Sequence, residues 1–264
     1  MRTLSAPIAE GRTAQVFSWD KAHILKLYRE WCPSNWVDYE ARVGRAIHAA
    51  GVPSPAVGEL VEVDGRRGLI YERLEGSSML QTLNARPWTF LKHARTLADL
   101  HVQINQLSIK DLASYKDGLG YGIRHTPYLS DALRRKALAL LDALPDGGSV
   151  CHGDFHPGNV ILTEHGPVAI DWMTAKSGSR WADVSRTSLL LNVGVKGVAR
   201  QVNPIVKLLV GLFYRAYLVR YLKLSPDSQA ELKRWMPVTA AARLNEDIAP
   251  EREALIAMMN DGLA

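Results

Sequence analysis

Between Cys151 and Trp172 the chain reads Cys-His-Gly-Asp-Phe-His-Pro-Gly-Asn-Val-Ile-Leu-Thr-Glu-His-Gly-Pro-Val-Ala-Ile-Asp-Trp. Five polar side chains able to do chemistry, His152, Asp154, His156, Asn159 and Asp171, stand there beside apolar runs. Val160-Ile161-Leu162 reads as a buried strand, Glu164 to Pro167 as a turn, and Val168-Ala169-Ile170 as the returning strand. A hairpin of that length brings Asp171 back beside Asn159. A carboxylate and an amide oxygen at neighbouring strand ends make a hard oxygen site suited to Mg²⁺. Asp154 lies on the same loop, five residues before Asn159.

An Asp, then an Asn, then a second Asp across a hairpin is the layout of a phosphoryl-transfer loop. The first Asp accepts the proton of an attacking hydroxyl. The Asn and the second Asp hold metal on the phosphates of ATP. The plain alternative is a polar hairpin with capping Asp and Asn residues. Four typed residues at the required spacing, in the required strand context, favour the chemical reading.

Such a loop needs elements that grip a nucleotide, and the N-terminal quarter offers them. Ala14 to Trp19 and His23 to Tyr28 read as two strands about an Asp20-Lys21 turn. Lys26 is a charge within the second apolar strand; alone it would pass as a solvent-facing residue. Glu10 to Ala14 forms a loop with Gly11, Thr13 and other small residues, through which backbone N–H groups can approach phosphate. No Gly-x4-Gly-Lys-Ser/Thr pattern occurs, which excludes a Walker-type site. The spacing of Tyr39, Val43, Ala46, Ile47 and Ala50 predicts a helix over 34–50, opened by Pro33-Ser34 and ended by Gly51. Glu40 borders that apolar stripe, within reach of an inward-pointing Lys26. In a kinase the Lys holds the α/β-phosphates and the Glu orients the Lys. Residues 57–63 and 68–74 flank Asp64-Gly65, a strong hairpin signal. The backbone near Glu72 to Leu74 is placed to pair with an adenine edge.

Composition sets the outer limits. With 264 residues the chain can form one large domain or two lobes. Its 47% hydrophobic and 22% charged content is that of a globular protein. A net charge of +5 favours an anionic ligand such as a nucleotide. No block of five or six like charges appears, so nucleic acid is not implied. Two cysteines, Cys32 and Cys151, exclude a disulfide framework. The N-terminal residues lack the apolar run of a signal peptide. The most apolar helix, near 204–222, carries Lys207, Arg215 and Arg220, too many charges to span a bilayer. A reducing, cytoplasmic setting without membrane contact is the expectation.

From about residue 77 the pattern is helical. Residues 88–106 carry Phe90, Leu91, Ala94, Leu97, Ala98, His101 and Ile104 on one face, with His101 read as a packed histidine. Residues 107–128, with Gly118, Gly120 and Gly122, read as loop. Ser130 caps a helix lined by Leu133, Ala137, Leu140, Leu141 and Leu144. Residues 174–180 read as loop, and a helix from Trp181 follows. On it, Asp183 suits the helix dipole at least as well as a catalytic role. Helices are expected over 202–222, 226–247 and 250–262. Glu246, Asp247, Glu251 and Glu253 read first as a solvated face; the other reading is an acidic rim for a cationic acceptor.

Taken together these residues resemble the aminoglycoside phosphotransferase and choline kinase superfamily. The resemblance runs from Gly11 to about Glu246. It rests on His152-Gly-Asp-Phe-His-Pro-Gly-Asn159, Ile170-Asp-Trp172, and Tyr39-Glu-Ala-Arg down to Ala50-Gly-Val-Pro-Ser-Pro55. Leu97-Ala-Asp-Leu-His101 and Trp181-Ala-Asp-Val-Ser-Arg186 add to it. The resemblance implies an α+β, bilobal, protein-kinase-like fold: a small N-lobe over 1–75, with a five-stranded antiparallel sheet and one helix, and a larger, mainly helical C-lobe over 76–264. It implies ATP and Mg²⁺, with Asp154 as catalytic base and Asn159 and Asp171 as metal ligands. Lys26 and Glu40 form the phosphate-positioning pair, Gly11 and Thr13 belong to the phosphate loop, and Glu72 and Leu74 offer backbone groups to adenine. His152 supports the loop, and His156 stands where it could approach the γ-phosphate.

Two departures shape the expectation. The loop at 11–16 has one glycine, unlike the glycine-rich cover of protein kinases. Asp171 and Ser179 are eight positions apart, too few for the long substrate-docking segment of a protein kinase. The expected activity is transfer of the γ-phosphate to a hydroxyl of a small molecule, such as an aminoglycoside-like antibiotic, choline or another amino alcohol, or a sugar. For a choline-like acceptor, Trp172, Trp181 and Trp235 are available as an aromatic cage, though packing between helices is their commoner use. The rivals are a nucleotide-binding pseudokinase and a protein kinase.

Overall fold

The computed structural model describes residues 4–194, 204–225 and 229–263. The chain divides into two compact units, one of residues 1–78 and 159–174, the other of residues 79–158 and 175–264. Neither is continuous in sequence, as lobes of 1–75 and 76–264 would be. Residues 159–174 group with the first unit because β8 (Val160–Thr163) pairs with β6 (Ser77–Ser78). The Ala169 N–H also bonds Pro53 O at 2.8 Å.

The first unit holds a five-stranded antiparallel sheet in the order β1-β2-β3-β5-β4. Its strands are β1 (Ala9–Glu10), β2 (Ala14–Ser18), β3 (His23–Tyr28), β4 (Val57–Val63) and β5 (Arg66–Glu72). Asp64 and Gly65 both take positive φ in the β4–β5 turn, the conformation a two-residue hairpin demands. Alternation along β3 separates its side chains. Leu25 and Leu27 pack with Phe17 on one face, while Tyr28 joins Val37, Ala41, Leu69 and Tyr71 on the other. Lys26 shares the Tyr28 face, towards α1 (Ser34–Ala49). The buried stripe of α1 is Val37, Glu40, Ala41, Val43, Gly44 and Ile47. Glu40 therefore lies in the middle of that stripe and not at its border, and Ala50 is exposed. The hairpin of β8 and β9 (Gly166–Ala169) completes this unit.

The second unit is helical: α2 (Met79–Ala85), α3 (Phe90–Asn105), α4 (Tyr115–His125), α5 (Asp131–Ala143), α6 (Arg180–Leu189), α7 (Pro204–Leu224), α8 (Gln229–Arg243) and α9 (Arg252–Leu263). The expected helix starts at 202 and 226 lie outside the described residues. Ser130 and Ser179 cap α5 and α6 through their side chains. Two expectations fail here. The 107–128 stretch contains α4, capped by Ser114, whose hydroxyl accepts from the Asp117 N–H. Its glycines permit close packing and do not mark turns: a Cβ on Gly122 would stand 2.8 Å from Ala242 O of α8. Residues 174–180 contain β10 (Lys176–Gly178), which pairs with β7 (Ser149–Cys151) and fixes the start of the loop at 152. Among the described residues no helix is long and apolar enough to cross a membrane.

Candidate active site

In the first unit the structure brings Lys26, Glu40 and Asp171 together. Lys26 Nζ donates to Glu40 Oε1 at 2.7 Å and to Asp171 Oδ1 at 2.8 Å. Glu40 is fully buried, so its carboxylate must be saturated. Tyr28 Oη donates to Oε2 at 2.6 Å and Tyr71 Oη to Oε1 at 2.8 Å. Burial works against the Lys26 ammonium, but the charges and hydrogen bonds of Glu40 and Asp171 hold its pKa above the ordinary lysine value. Burial and the Glu40 charge push both tyrosines up, keeping their hydroxyls protonated as donors.

The β8–β9 hairpin does what its sequence implied. Val160 pairs with Ala169, and the Ile170 N–H donates to Asn159 O at 3.0 Å, so Asn159 and Asp171 sit side by side at its open end. Asp171 takes φ +66°, a left-handed conformation that Asp tolerates better than most residues and that recurs at functional sites. Its side chain keeps 41% exposure. One open carboxylate and one amide match Mg²⁺, which uses few protein oxygens and takes the rest of its shell from phosphates and water. Among the described residues no group of three His, Cys, Asp or Glu side chains forms a metal cage.

The other nucleotide candidates lie on this unit's strands and turns. The Gly11 N–H closes the β1–β2 turn onto Ala14 O at 2.8 Å, so that donor is already used. Thr13 O accepts from the Arg29 N–H, also at 2.8 Å. The Glu72 N–H goes to Ala56 O, while the Ala56 N–H goes to the Glu72 carboxylate and not to its carbonyl. Leu74 follows the end of β5, half-buried.

In the second unit Asp154 stands on a loop built around Asp183. The Asp183 carboxylate, fully buried, accepts from the N–H groups of His152 at 2.7 Å and Gly153 at 2.8 Å. It also meets His101 Nε2 at 3.0 Å and Asn105 Nδ2 at 3.1 Å. Burial alone would raise its pKa; these donors hold it below the usual value. Gly153 takes φ +79°, which a side chain would resist, and this turns its N–H to Asp183 and its carbonyl to Arg186. His152 is buried against Phe155, and its Nδ1 accepts from the Asp154 N–H. His101 is a packed histidine as expected, and it also bonds Tyr217.

Asp154 is about one-third exposed, with His156 Nε2 at 3.7 Å and Arg186 Nη2 at 3.9 Å. Burial opposes its charge, but His156, Arg186 and His152 hold its pKa well below the usual carboxylate range. A carboxylate kept ionised is a proton acceptor at neutral pH. The acidic residues at 246–253 divide: Glu246 and Glu251 are drawn into pairs with arginines, while Asp247 and Glu253 stay exposed, as on a solvated face. Glu246 pairs with Arg186 at 2.5 Å and Arg243 at 3.0 Å. Glu251 takes a two-pronged pairing from Arg243, both buried, and Asp247 pairs with Arg252. Trp172, Trp181 and Trp235 are all buried core residues, so they form no cage.

Four participants escaped the sequence reading: Tyr28, Tyr71, Arg186 and Asp183 in its anchoring role. The Asp183–Arg186 spacing, opposite charges three positions apart on one helix, was the available signal for the last two.

A model of the phosphotransferase enzyme family matches residues 6–226. A sequence search of the curated proteins finds no match. Among solved structures, the chain is similar to a thermostable mutant of the aminoglycoside phosphotransferase APH(4)-Ia, in ternary complex with AMP-PNP and hygromycin B. The TM-score is 0.67 at 15% identity, covering 99% of this chain and 94% of that one. It is similar to an aminoglycoside-3'-phosphotransferase of type VIII, with TM-score 0.63, 19% identity and 93% of each chain covered. It is also similar to a choline/ethanolamine kinase family protein from Mesorhizobium loti, with TM-score 0.54, 15% identity, and 99% and 87% covered. At these identities the likeness is one of fold.

Proposed function

Since the chain belongs to the phosphotransferase enzyme family, we propose that it moves the γ-phosphate of ATP, with Mg²⁺, to a hydroxyl of a small molecule. The observation that carries this reading is Lys26 bound at once to Glu40 and Asp171, with Asn159 beside Asp171. Lys26 positions the α/β-phosphates, and Glu40, itself fixed by Tyr28 and Tyr71, positions Lys26. Asn159 and Asp171 would hold Mg²⁺, which when bound neutralises charge on the β- and γ-phosphates. The turn at Gly11 and Thr13 covers the phosphates. The Glu72 carbonyl and the Leu74 N–H offer a pair of groups to adenine. Asp154 accepts the proton of the acceptor hydroxyl as it attacks in line. In this reading the first unit handles the nucleotide and the second receives the acceptor.

Several features bear on the acceptor. Only a single turn and β10 separate Asp171 from the Ser179 cap, which leaves little for docking a protein. The carboxylates at 246 and 251 are taken up by Arg186 and Arg243, which leaves fewer of the late acidic residues for a polycation. The three tryptophans are packed away, which disfavours a choline cage built from them. Neutral or anionic hydroxyl compounds, sugars among them, fit these constraints better than aminoglycosides. ATP as donor suits a cytoplasmic setting, as do two free cysteines.

The test is coupled ADP release across aminoglycosides, other antibiotics, amino alcohols and sugars. We expect acceptor-dependent turnover that Asp154→Ala abolishes while ATP binding persists, and loss of Mg²⁺-dependent nucleotide binding by calorimetry in Asp171→Ala. Turnover surviving in Asp154→Ala would remove the base. Nucleotide binding without turnover for any acceptor would favour the pseudokinase.

A further inference from the structure

α6 carries a buried charge that these roles leave unused. Arg186, only 13% exposed, reaches three ways from one planar fork. Its Nε donates to Gly153 O at 3.1 Å, beside the base. Its Nη1 lies 2.5 Å from Glu246 Oε1. Its Nη2 stops 3.9 Å from Asp154 Oδ1, beyond hydrogen-bond reach. Glu246 is held from behind by Arg243, whose fork is locked on Glu251. Asp154, Arg186, Glu246, Arg243 and Glu251 thus form a line of alternating charge.

We propose that Arg186 is a positioning residue for Asp154, and that Glu246 keeps its guanidinium from closing onto that carboxylate. The inference rests on Asp154 being the base. A guanidinium at this distance favours the carboxylate form and aims the loop through the Gly153 carbonyl. A guanidinium in full two-pronged contact would occupy the lone pairs that must take the acceptor's proton. Glu246, being the nearer partner, decides between the two. The other groups of this unit around Asp154 and the pair do not replace that choice. His152 and His156 come from the loop itself. Tyr115 of α4, near Arg186 and Glu246, is kept protonated by burial. Both members of the pair are held charged: burial opposes each, and each is favoured by the other.

The test uses the full chain with ¹³C-labelled aspartate carboxyls, following the Asp154 titration by NMR alongside steady-state kinetics. Removing a charge at this distance in Arg186→Gln raises the Asp154 midpoint by about 1 pH unit, with His156 still favouring the carboxylate. Turnover falls by about 10²-fold through misplacement, with KM for ATP unchanged. Arg186→Lys restores the titration but not the turnover, because one ammonium cannot replace the fork. Glu246→Gln lowers turnover without raising the midpoint, since Arg186 then closes on Asp154. The double variant Arg186→Gln/Glu246→Gln is no slower than Arg186→Gln alone, because the Glu246 defect acts through Arg186. An unmoved Asp154 midpoint in Arg186→Gln, or losses that multiply in the double variant, would overturn the proposal. A drop in melting temperature alone would assign the pair a purely structural role and overturn it equally. If no acceptor supports turnover in the unmodified protein, the functional reading fails, while the titration still decides whether Arg186 governs Asp154.

Discussion

Asp183→Asn is the sharpest probe of how the catalytic loop is held. The carboxylate accepts three donors on Oδ2, from His101, Asn105 and the His152 N–H, and one on Oδ1, from the Gly153 N–H. Asparagine has nearly the same shape but offers one oxygen and one NH₂ group. With its oxygen on the three-donor side, three hydrogen bonds change from charged to neutral, each losing about 1 kcal/mol. Its NH₂ then faces the Gly153 N–H, and that buried donor goes unsatisfied at about 1–3 kcal/mol. The expected loss is on the order of 4–6 kcal/mol, a large share of the roughly 5–15 kcal/mol that holds a domain together. Urea unfolding should show a lowered midpoint with an unchanged m-value, since the surface exposed is the same. The pH dependence has a definite sign. A carboxylate whose folded pKa is depressed stabilises fully above its unfolded value, about 3.9, and loses that contribution as pH falls through the folded value. The gap between the Asn variant and the parent should therefore be constant from pH 5 to 8 and narrow below about pH 4. A loss under about 1 kcal/mol at pH 7 would refute the claim that this carboxylate carries the loop.

Two further outcomes follow from the same geometry. Lys26→Met leaves the buried Glu40 without its cation, so it should cost about 3–5 kcal/mol of stability and weaken ATP binding, read by urea unfolding and calorimetry. With its pKa raised, Lys26 stabilises fully below its unfolded value, about 10.4, and loses this only as pH climbs through the folded value, so the Met deficit should be flat between pH 6 and 9. Gly122→Ala gains about 1 kcal/mol of helix propensity but places a methyl 2.8 Å from Ala242 O. Overpacking of about 1–3 kcal/mol should win and lower the melting temperature, whereas a higher melting temperature would show that α4 can shift freely against α8.

Glu40 and α4 show where sequence patterning stops. The apolar stripe of α1 reads through Tyr39, Val43, Ala46, Ile47 and Ala50, which puts Glu40 at the margin. The packed face keeps Val43 and Ile47 but extends to Val37, Ala41 and Gly44, with Glu40 among them. A carboxylate counts as polar in any periodicity, and nothing local says that Lys26, Tyr28 and Tyr71 satisfy it. In α4 three glycines weigh as turn signals, yet Gly122 allows close approach to α8 and Gly118 to Lys176 of β10, a demand set by residues far along the chain. Glu246 and Glu251 look like free charge because their arginine partners, Arg186 and Arg243, are not assigned to them by spacing alone.

By itself the sequence determined the order and spacing of Asp154, Asn159 and Asp171, the hairpin that sets the last two side by side, the Asp64-Gly65 turn, and the placing of a lysine and a glutamate on elements able to meet. Those features are local: strand alternation, turn chemistry and short loops follow from residues within a few positions of one another. Only the tertiary structure decided which charges find which partners. Lys26 meets Asp171 across 145 positions, and Asp183 gathers His101 and the His152 backbone from separate elements. Burial determines whether a charge must be paired, and strand alternation reveals which way a side chain points without revealing what it meets there.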